Sequence, residues 1–202
     1  MTDLKSDMAN SNRIIQSYEE YAKEYSEIVG TEVSQRTAET LQRMVSFTGL
    51  GAHMLEVGSG PGIEADYLES LGAVVRRTDA TRAFLAMQVE RGKNVDLLNI
   101  ISDKLGGPYD GVLALCVLIH VDRDHTANVL KKIRNALRPG GVFLVSLREG
   151  QGETGGGFNT IFWEYDEFIA HLAAADLHVR WHDRNTDHEG EVWLTFLAER
   201  QL

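Results

Sequence analysis

The chain has 202 residues, 43% of them hydrophobic and 25% charged, which is enough for one domain with a proper core or for two small ones. Its formal net charge of −10 repels phosphate backbones and anionic membrane surfaces, and no Lys/Arg block offsets it locally. The lone Cys116 excludes a disulfide framework, the polar opening "MTDLKSDMANSN" is no signal peptide, and the longest apolar stretch, Gly111 to Val121, is too short to span a bilayer; a cytoplasmic protein is the default expectation.

Two helical patterns open the chain. In the first, Ile14, Ile15, Tyr18, Tyr21, Ala22, Tyr25, Ile28 and Val29 recur at steps of three and four until Gly30. A second is expected from Glu32 to about Phe47, with Gly49 and Gly51 beyond it. Short apolar runs then alternate with amphipathic ones: strand 52–57, helix 62–71, strand 73–78, helix 81–91, strand 95–99, strand 110–115, helix 123–137 and strand 141–147. "RPGG" at 138–141 reads as a helix stop and a turn. The alternation argues for a parallel sheet covered by helices on both faces. Strands near 177–182 and 191–198 are joined by the turn-rich 183–190, too short for a crossover, so this pair is antiparallel. The expected architecture is one α/β domain over 1–202: residues 1–50 as an N-terminal helical cap and 51–202 as a doubly wound, mostly parallel seven-stranded sheet with an antiparallel last strand. The glycine-rich stretch 149–157 reads as a flexible loop leaving the strand at 141–147.

Chemistry concentrates at "EVGSGPG", residues 56–62, where an apolar strand enters a helix through Gly58, Gly60 and Gly62. Glycine allows positive φ there and lets backbone N–H groups approach a ligand; the bland alternative is close packing alone. A phosphate loop would need G-K-[ST], which is absent. A dinucleotide fingerprint starting at Gly58 fails at Ile63, although a variant from Gly60 through Gly62 to Ala65 survives.

The spacing E-x-G-x-G-x-G instead resembles the first motif of class I, Rossmann-like S-adenosylmethionine-dependent methyltransferases, and the resemblance continues in order over about residues 12–199. It implies S-adenosyl-L-methionine as cofactor and a site at Glu56, Gly58, Ser59, Gly60 and Gly62. A carboxylate such as Glu56 beside the loop favours a cationic ligand and would repel a pyrophosphate. By the same resemblance Asp79, followed by Ala80, takes the ribose hydroxyls, and Asn99 with Ile100 meets the adenine, Asp96 being the rival. "YDGVLALCVLIHV" matches the fourth motif and puts Leu115, Cys116 and His120 beside the cofactor; "LRPGGVFLVSLREG" matches the fifth. The N-terminal "SYEEYAKEYSEI" resembles a covering helix, with Tyr18 and Tyr25 as contacts, although tyrosines at helical spacing also read as core.

Methyl transfer needs mainly alignment, plus a base where the acceptor retains its proton. His120 is the catalytic candidate because imidazole titrates near neutrality; it reads equally as a packed or substrate-shaping histidine. Arg148 and Glu149, leaving the fifth strand, are candidate substrate contacts, and Cys116 reads as a small buried hydrophobe. The later histidines lack ligand-like spacing, so no metal is expected. The N/D-P-P-Y/F motif of nucleobase and glutamine methylation is missing, which with the acidic charge points to a small-molecule acceptor, methylated on oxygen or nitrogen, and leaves room for a homodimer. The rival readings are a non-catalytic S-adenosylmethionine-binding sensor or partner module and a nicotinamide-dependent oxidoreductase.

Overall fold

In the computed structural model, which describes residues 8–201, the first amphipathic pattern forms α1 (Ala9–Val29). Residues 1–7, part of the polar opening read above as no signal peptide, lie outside the described residues. α2 (Gln35–Thr48) starts three residues later than its pattern suggested, because Ser34 acts as N-cap, its hydroxyl accepting from Thr37 N at 3.1 Å. Then follow β1 (His53–Val57), α3 (Ile63–Ser70), β2 (Val74–Asp79), α4 (Arg82–Glu90), β3 (Val95–Leu97) and β4 (Tyr109–Ala114). A short 3-10 turn at Leu118–His120 leads to α5 (Arg123–Ala136), β5 (Leu137–Glu149), β6 (Phe162–Trp163), α6 (Tyr165–Ala174), β7 (Leu177–Thr186) and β8 (Val192–Arg200).

The strands make one sheet in the order β3-β2-β1-β4-β5-β8-β7. β1 to β5 run parallel, while β8 is antiparallel to both neighbours. Chain order reverses between β1 and β4, and the carboxyl ends flanking such a reversal form the crevice where open parallel sheets take ligands. The sheet has one strand more than expected: β6, two residues long, pairs parallel with Arg148 and Glu149 of β5. The "RPGG" segment is absorbed into β5 as a register shift between Tyr109 and Gly111 on β4, with Gly140 at φ 76°.

Most of β1 and β4 is buried because both faces of these central strands are covered. On one face Leu55, Val57, Val112 and Phe143 pack with α5 and α6 through Val129, Ile133, Phe168 and Leu172. On the other, Met54, Leu113 and Leu144 pack against Leu41 and Met44 of α2 and Leu68 of α3. The expected cap of residues 1–50 therefore divides: α2 belongs to the core, and only α1 remains as a cover.

Candidate active site

The loop leaving β1 is set by its glycines. Gly58, Gly60 and Gly62 adopt φ of 66°, 51° and 86°. A Cβ on Gly58 would come within 2.4 Å of Val117, whereas one on Gly60 would meet nothing nearer than Tyr25 at 3.9 Å and so faces open space. The loop carbonyls are held from behind: Gln88 donates to Gly60 O at 2.9 Å, Arg91 to Pro61 O at 2.6 Å, and Arg77 to Gly62 O at 3.2 Å. Arg77 is 2% exposed, its charge met by Asp66 and Glu69. A buried cation without such partners would be costly, so the cluster fixes one loop geometry.

A cavity opens in front of this loop, and most of the predicted positions meet there. Gly58, Gly60, Asp79, Ala80, Asn99, Ile100, Leu115, Cys116, His120, Tyr18 and Tyr25 line it together. Glu56 and Ser59 line an adjoining pocket that shares Tyr25, Gly58, Gly60, Leu115 and Cys116. Gly62 borders neither; it serves as the left-handed residue from which α3 starts. Asp96 is turned away, its carboxylate paired with Arg76 at 2.7 Å, so of the two rivals only Asn99 borders the cavity. Arg148 and Glu149 are not brought to the cavity wall. Arg148 pairs with Glu191 and lies over Trp193, and Glu149 pairs with Arg184, because β7 and the residue just before β8 bring opposite charges alongside the end of β5.

The electrostatics of this space are acidic. Asp79 is 6% exposed; one oxygen accepts from Gly60 N and the other from Thr81 N, both at 2.8 Å. Burial raises its pKa against those two bonds, and a carboxylate with about four acceptor sites keeps lone pairs for further donors. Glu56 is 3% exposed, accepts a hydrogen bond from Ser59 Oγ, and has its pKa pushed up to about 8 by burial and by the neighbouring Glu64. Glu64 is itself shifted upward by burial. Cys116 departs from the packed hydrophobe expected of it: it is exposed, at φ 57°, and its surface faces the cavity. That surface opens into the enclosed cavity and not into bulk solvent, and the desolvation there raises its pKa against the bond to Ser146, which makes the thiol a poor nucleophile.

His120 ends the 3-10 turn after β4 with both ring nitrogens engaged. Nδ1 lies 2.8 Å from Asn159 O, and since a carbonyl only accepts, Nδ1 carries the proton. Burial lowers the pKa of His120, so the ring is neutral and Nε2 is a lone pair, 3.1 Å from Tyr18 Oη, which must donate to it. Tyr18, pushed up to about 12 by burial, keeps its proton for that bond.

α1 lies over the cavity and is tied to three of the segments that follow its strands, those after β2, β3 and β4. Asn10 donates to Asp122 at 2.6 Å, Asn99 donates to Ser11 Oγ at 3.1 Å, and Tyr18 bonds His120. Glu19 accepts from Arg82 N and Ala83 N at 2.7 and 2.9 Å, capping α4 with a carboxylate at the positive end of its dipole. Ser11, Glu19, Phe84, Gln88, Glu64 and Asn159 were missed in the sequence. Their partners lie up to 88 positions away, as for Ser11 and Asn99, and no local spacing announces them.

The strand order, the reversal at β1 and β4 and the antiparallel β8 define the fold of the class I, Rossmann-like S-adenosylmethionine-dependent methyltransferases. Residues 55–143 match the family model of a methyltransferase domain, which spans the glycine loop, Asp79, Asn99 and His120. No curated protein matches the chain significantly. Among solved structures, 1,6-didemethyltoxoflavin-N1-methyltransferase of Burkholderia thailandensis, bound to 1,6-didemethyltoxoflavin and S-adenosylhomocysteine, has a TM-score of 0.80 and 19% identity, covering 100% of this chain and 93% of that one. Magnesium protoporphyrin IX methyltransferase from Synechocystis, with bound SAH, has a TM-score of 0.79 and 13% identity, covering 95% of this chain and 100% of that one. The cyclase SpnF has a TM-score of 0.76 and 14% identity, covering 94% and 95% respectively.

Proposed function

We propose that the protein transfers a methyl group from S-adenosylmethionine to an oxygen or nitrogen of a small molecule. The observation that carries this is the convergence of Gly58, Gly60, Asp79, Asn99 and His120 on one cavity at the strand-order reversal. The residues fit the cofactor. Gly60 leaves space that a side chain would fill, and Glu56 and Glu64 are desolvated carboxylates suited to a cation. Asp79 would take the ribose hydroxyls, Asn99 and Ile100 the adenine, and Glu56, Ser59 and the loop N–H groups the amino-acid end. The solved methyltransferases above, crystallised with S-adenosylhomocysteine, support the choice.

When bound, the cofactor supplies a methyl group already activated by its sulfonium. This chain's task is then to align the acceptor, exclude water under α1 and remove a proton where the acceptor carries one. Nε2 of His120 is the basic lone pair, and Tyr18 Oη stands on it, so a departing proton travels to His120 through the Tyr18 hydroxyl. The fold is also used by a cyclase, so chemistry is tested apart from binding. Calorimetry with S-adenosylmethionine, S-adenosylhomocysteine and NADH should show binding of the first two only. Binding of NADH alone would return the site to the oxidoreductase reading, and cofactor binding with no methyl transfer across a metabolite panel would favour the sensor.

A further inference from the structure

Tyr18, Tyr25, Phe84 and His120 line the cavity as rings, and Phe158 and Tyr21, outside that lining, pack on it through Tyr18 and Tyr25. Tyr18 is the hub: its centroid lies 5.0 Å from Phe158, 5.8 Å from Tyr25, 5.6 Å from His120 and 6.0 Å from Phe84. Phe158 also meets Tyr21 at 5.4 Å. Most of these contacts are edge-to-face, the geometry in which a ring's positive edge meets another's negative face.

Charge on the cavity wall is one-sided. Among the described residues lining the cavity and its adjoining pocket there is no lysine or arginine, while Asp79, Glu56 and Glu64 are all present. An anionic acceptor would enter a desolvated space with carboxylates nearby and no cation to meet it. Phe158 differs from the other rings. It is 41% exposed and stands at the end of the run Gly155-Gly156-Gly157, while its neighbour Asn159 is 5% exposed and anchored by bonds to His120, Glu153 and Gly155 N. Its side chain can therefore leave Tyr18 and Tyr21 without disturbing that anchor.

Resting on the reading of this cavity as a cofactor and acceptor site, we infer that the acceptor is an uncharged, planar aromatic or heteroaromatic ring, and that Phe158 occupies the ring's place against Tyr18 and Tyr21 until it is displaced. The acceptor's O–H or N–H then lies beside Tyr18 Oη, the one polar group of the cluster bonded to His120.

The test uses the full chain and three probes of matched size, 1-naphthol, 1-naphthoate and the saturated alcohol 1-decalol, each titrated by calorimetry with and without saturating S-adenosylhomocysteine. Naphthol should bind. Naphthoate should bind ~10-fold more weakly or worse, through its unpaired buried charge. Decalol should bind roughly 2–10-fold more weakly, having lost the ring contacts. Phe158→Ala should tighten naphthol and leave S-adenosylhomocysteine affinity unchanged. Naphthoate or decalol binding as well as naphthol, no probe binding either wild type or Phe158→Ala, or a Phe158→Ala variant that weakens naphthol would each overturn the inference. Failure of S-adenosylhomocysteine to bind would instead overturn the cofactor reading, and the ranking of the probes on the protein alone would still decide the ring preference.

Discussion

Glu56 should make cofactor binding depend on pH in a direction fixed by its surroundings. The carboxyl is 3% exposed, burial is the largest influence on it, Glu64 adds to the upward shift, and Ser59 and Arg77 oppose it, leaving a pKa of about 8 against an ordinary 4.5. At neutral pH the ligand-free protein therefore holds a proton there. A cationic ligand favours the ionised form, so binding lowers this pKa and releases the proton. Affinity for S-adenosylmethionine should then rise with pH up to about 8 and level off above it. If only the ionised form binds, the ionised fraction climbs from ~1% at pH 6 to about half at pH 8, so the gain is up to ~50-fold. Calorimetry in two buffers of different ionisation enthalpy counts the proton directly, and about one should be released near pH 7. Glu56→Gln should bind weakly with a flat profile. For stability the sign is opposite: the folded state binds the proton more tightly than the unfolded one, so the ligand-free protein loses stability as pH rises from about 4.5 through 8. A flat affinity profile with no proton released in the wild type would refute the placement of the cofactor's cationic end at Glu56.

Asp79→Ala should weaken S-adenosylmethionine by about 1.5–3 kcal/mol in calorimetry, the worth of a charge-assisted acceptor, with Asp79→Asn recovering part of it. His120→Ala should lower turnover by roughly 10²–10⁴-fold with cofactor affinity nearly unchanged, whereas full turnover in His120→Gln would remove the ring from proton transfer. Since burial lowers the pKa of His120, wild-type turnover should stay flat below the usual imidazole range and fall only in more acid solution, as the imidazolium forms. A chain beginning at Thr31 should keep its sheet by circular dichroism and bind the cofactor more weakly. One beginning at Thr48 should fail to fold, because it also removes Leu41 and Met44, both 0% exposed in the core.

The alternation of short apolar runs was sufficient to read the parallel sheet, since the central strands β1, β4 and β5 are largely buried and carry their own signal. The β6 pairing was not readable, because two residues have no periodicity. Nor was the core role of α2: its amphipathic stripe looks the same whether it faces a ligand or a sheet. At the site, the positions of Gly58, Gly60, Asp79 and Asn99 could be read because each small or polar residue falls at or just beyond the carboxyl end of a strand. Arg148 and Glu149 occupy equivalent places but are neutralised by Glu191 and Arg184 of the late hairpin, and a single strand's sequence carries no sign of its neighbours' charges. Gln88 was hidden differently. It is a polar position on a helix, 0% exposed, whose partners are the hydroxyl of Ser59 and the carbonyl of Gly60.

The ties along α1 bear on traffic through the site. Asn10, Ser11, Tyr18 and Glu19 attach one rigid rod to three separate segments, those following β4, β3 and β2. A rod cannot lift off one loop at a time without straining the others, so reactant entry and product exit are concerted with release of the whole helix. Backbone amides of Arg82 and Ala83, which rest on the Glu19 carboxylate, should therefore exchange with deuterium at the same rate as the middle turns of α1. On the proposed reading of Tyr18 and His120 as the proton-accepting pair, the gate and that pair share a residue, so the pair is assembled only while the door is shut.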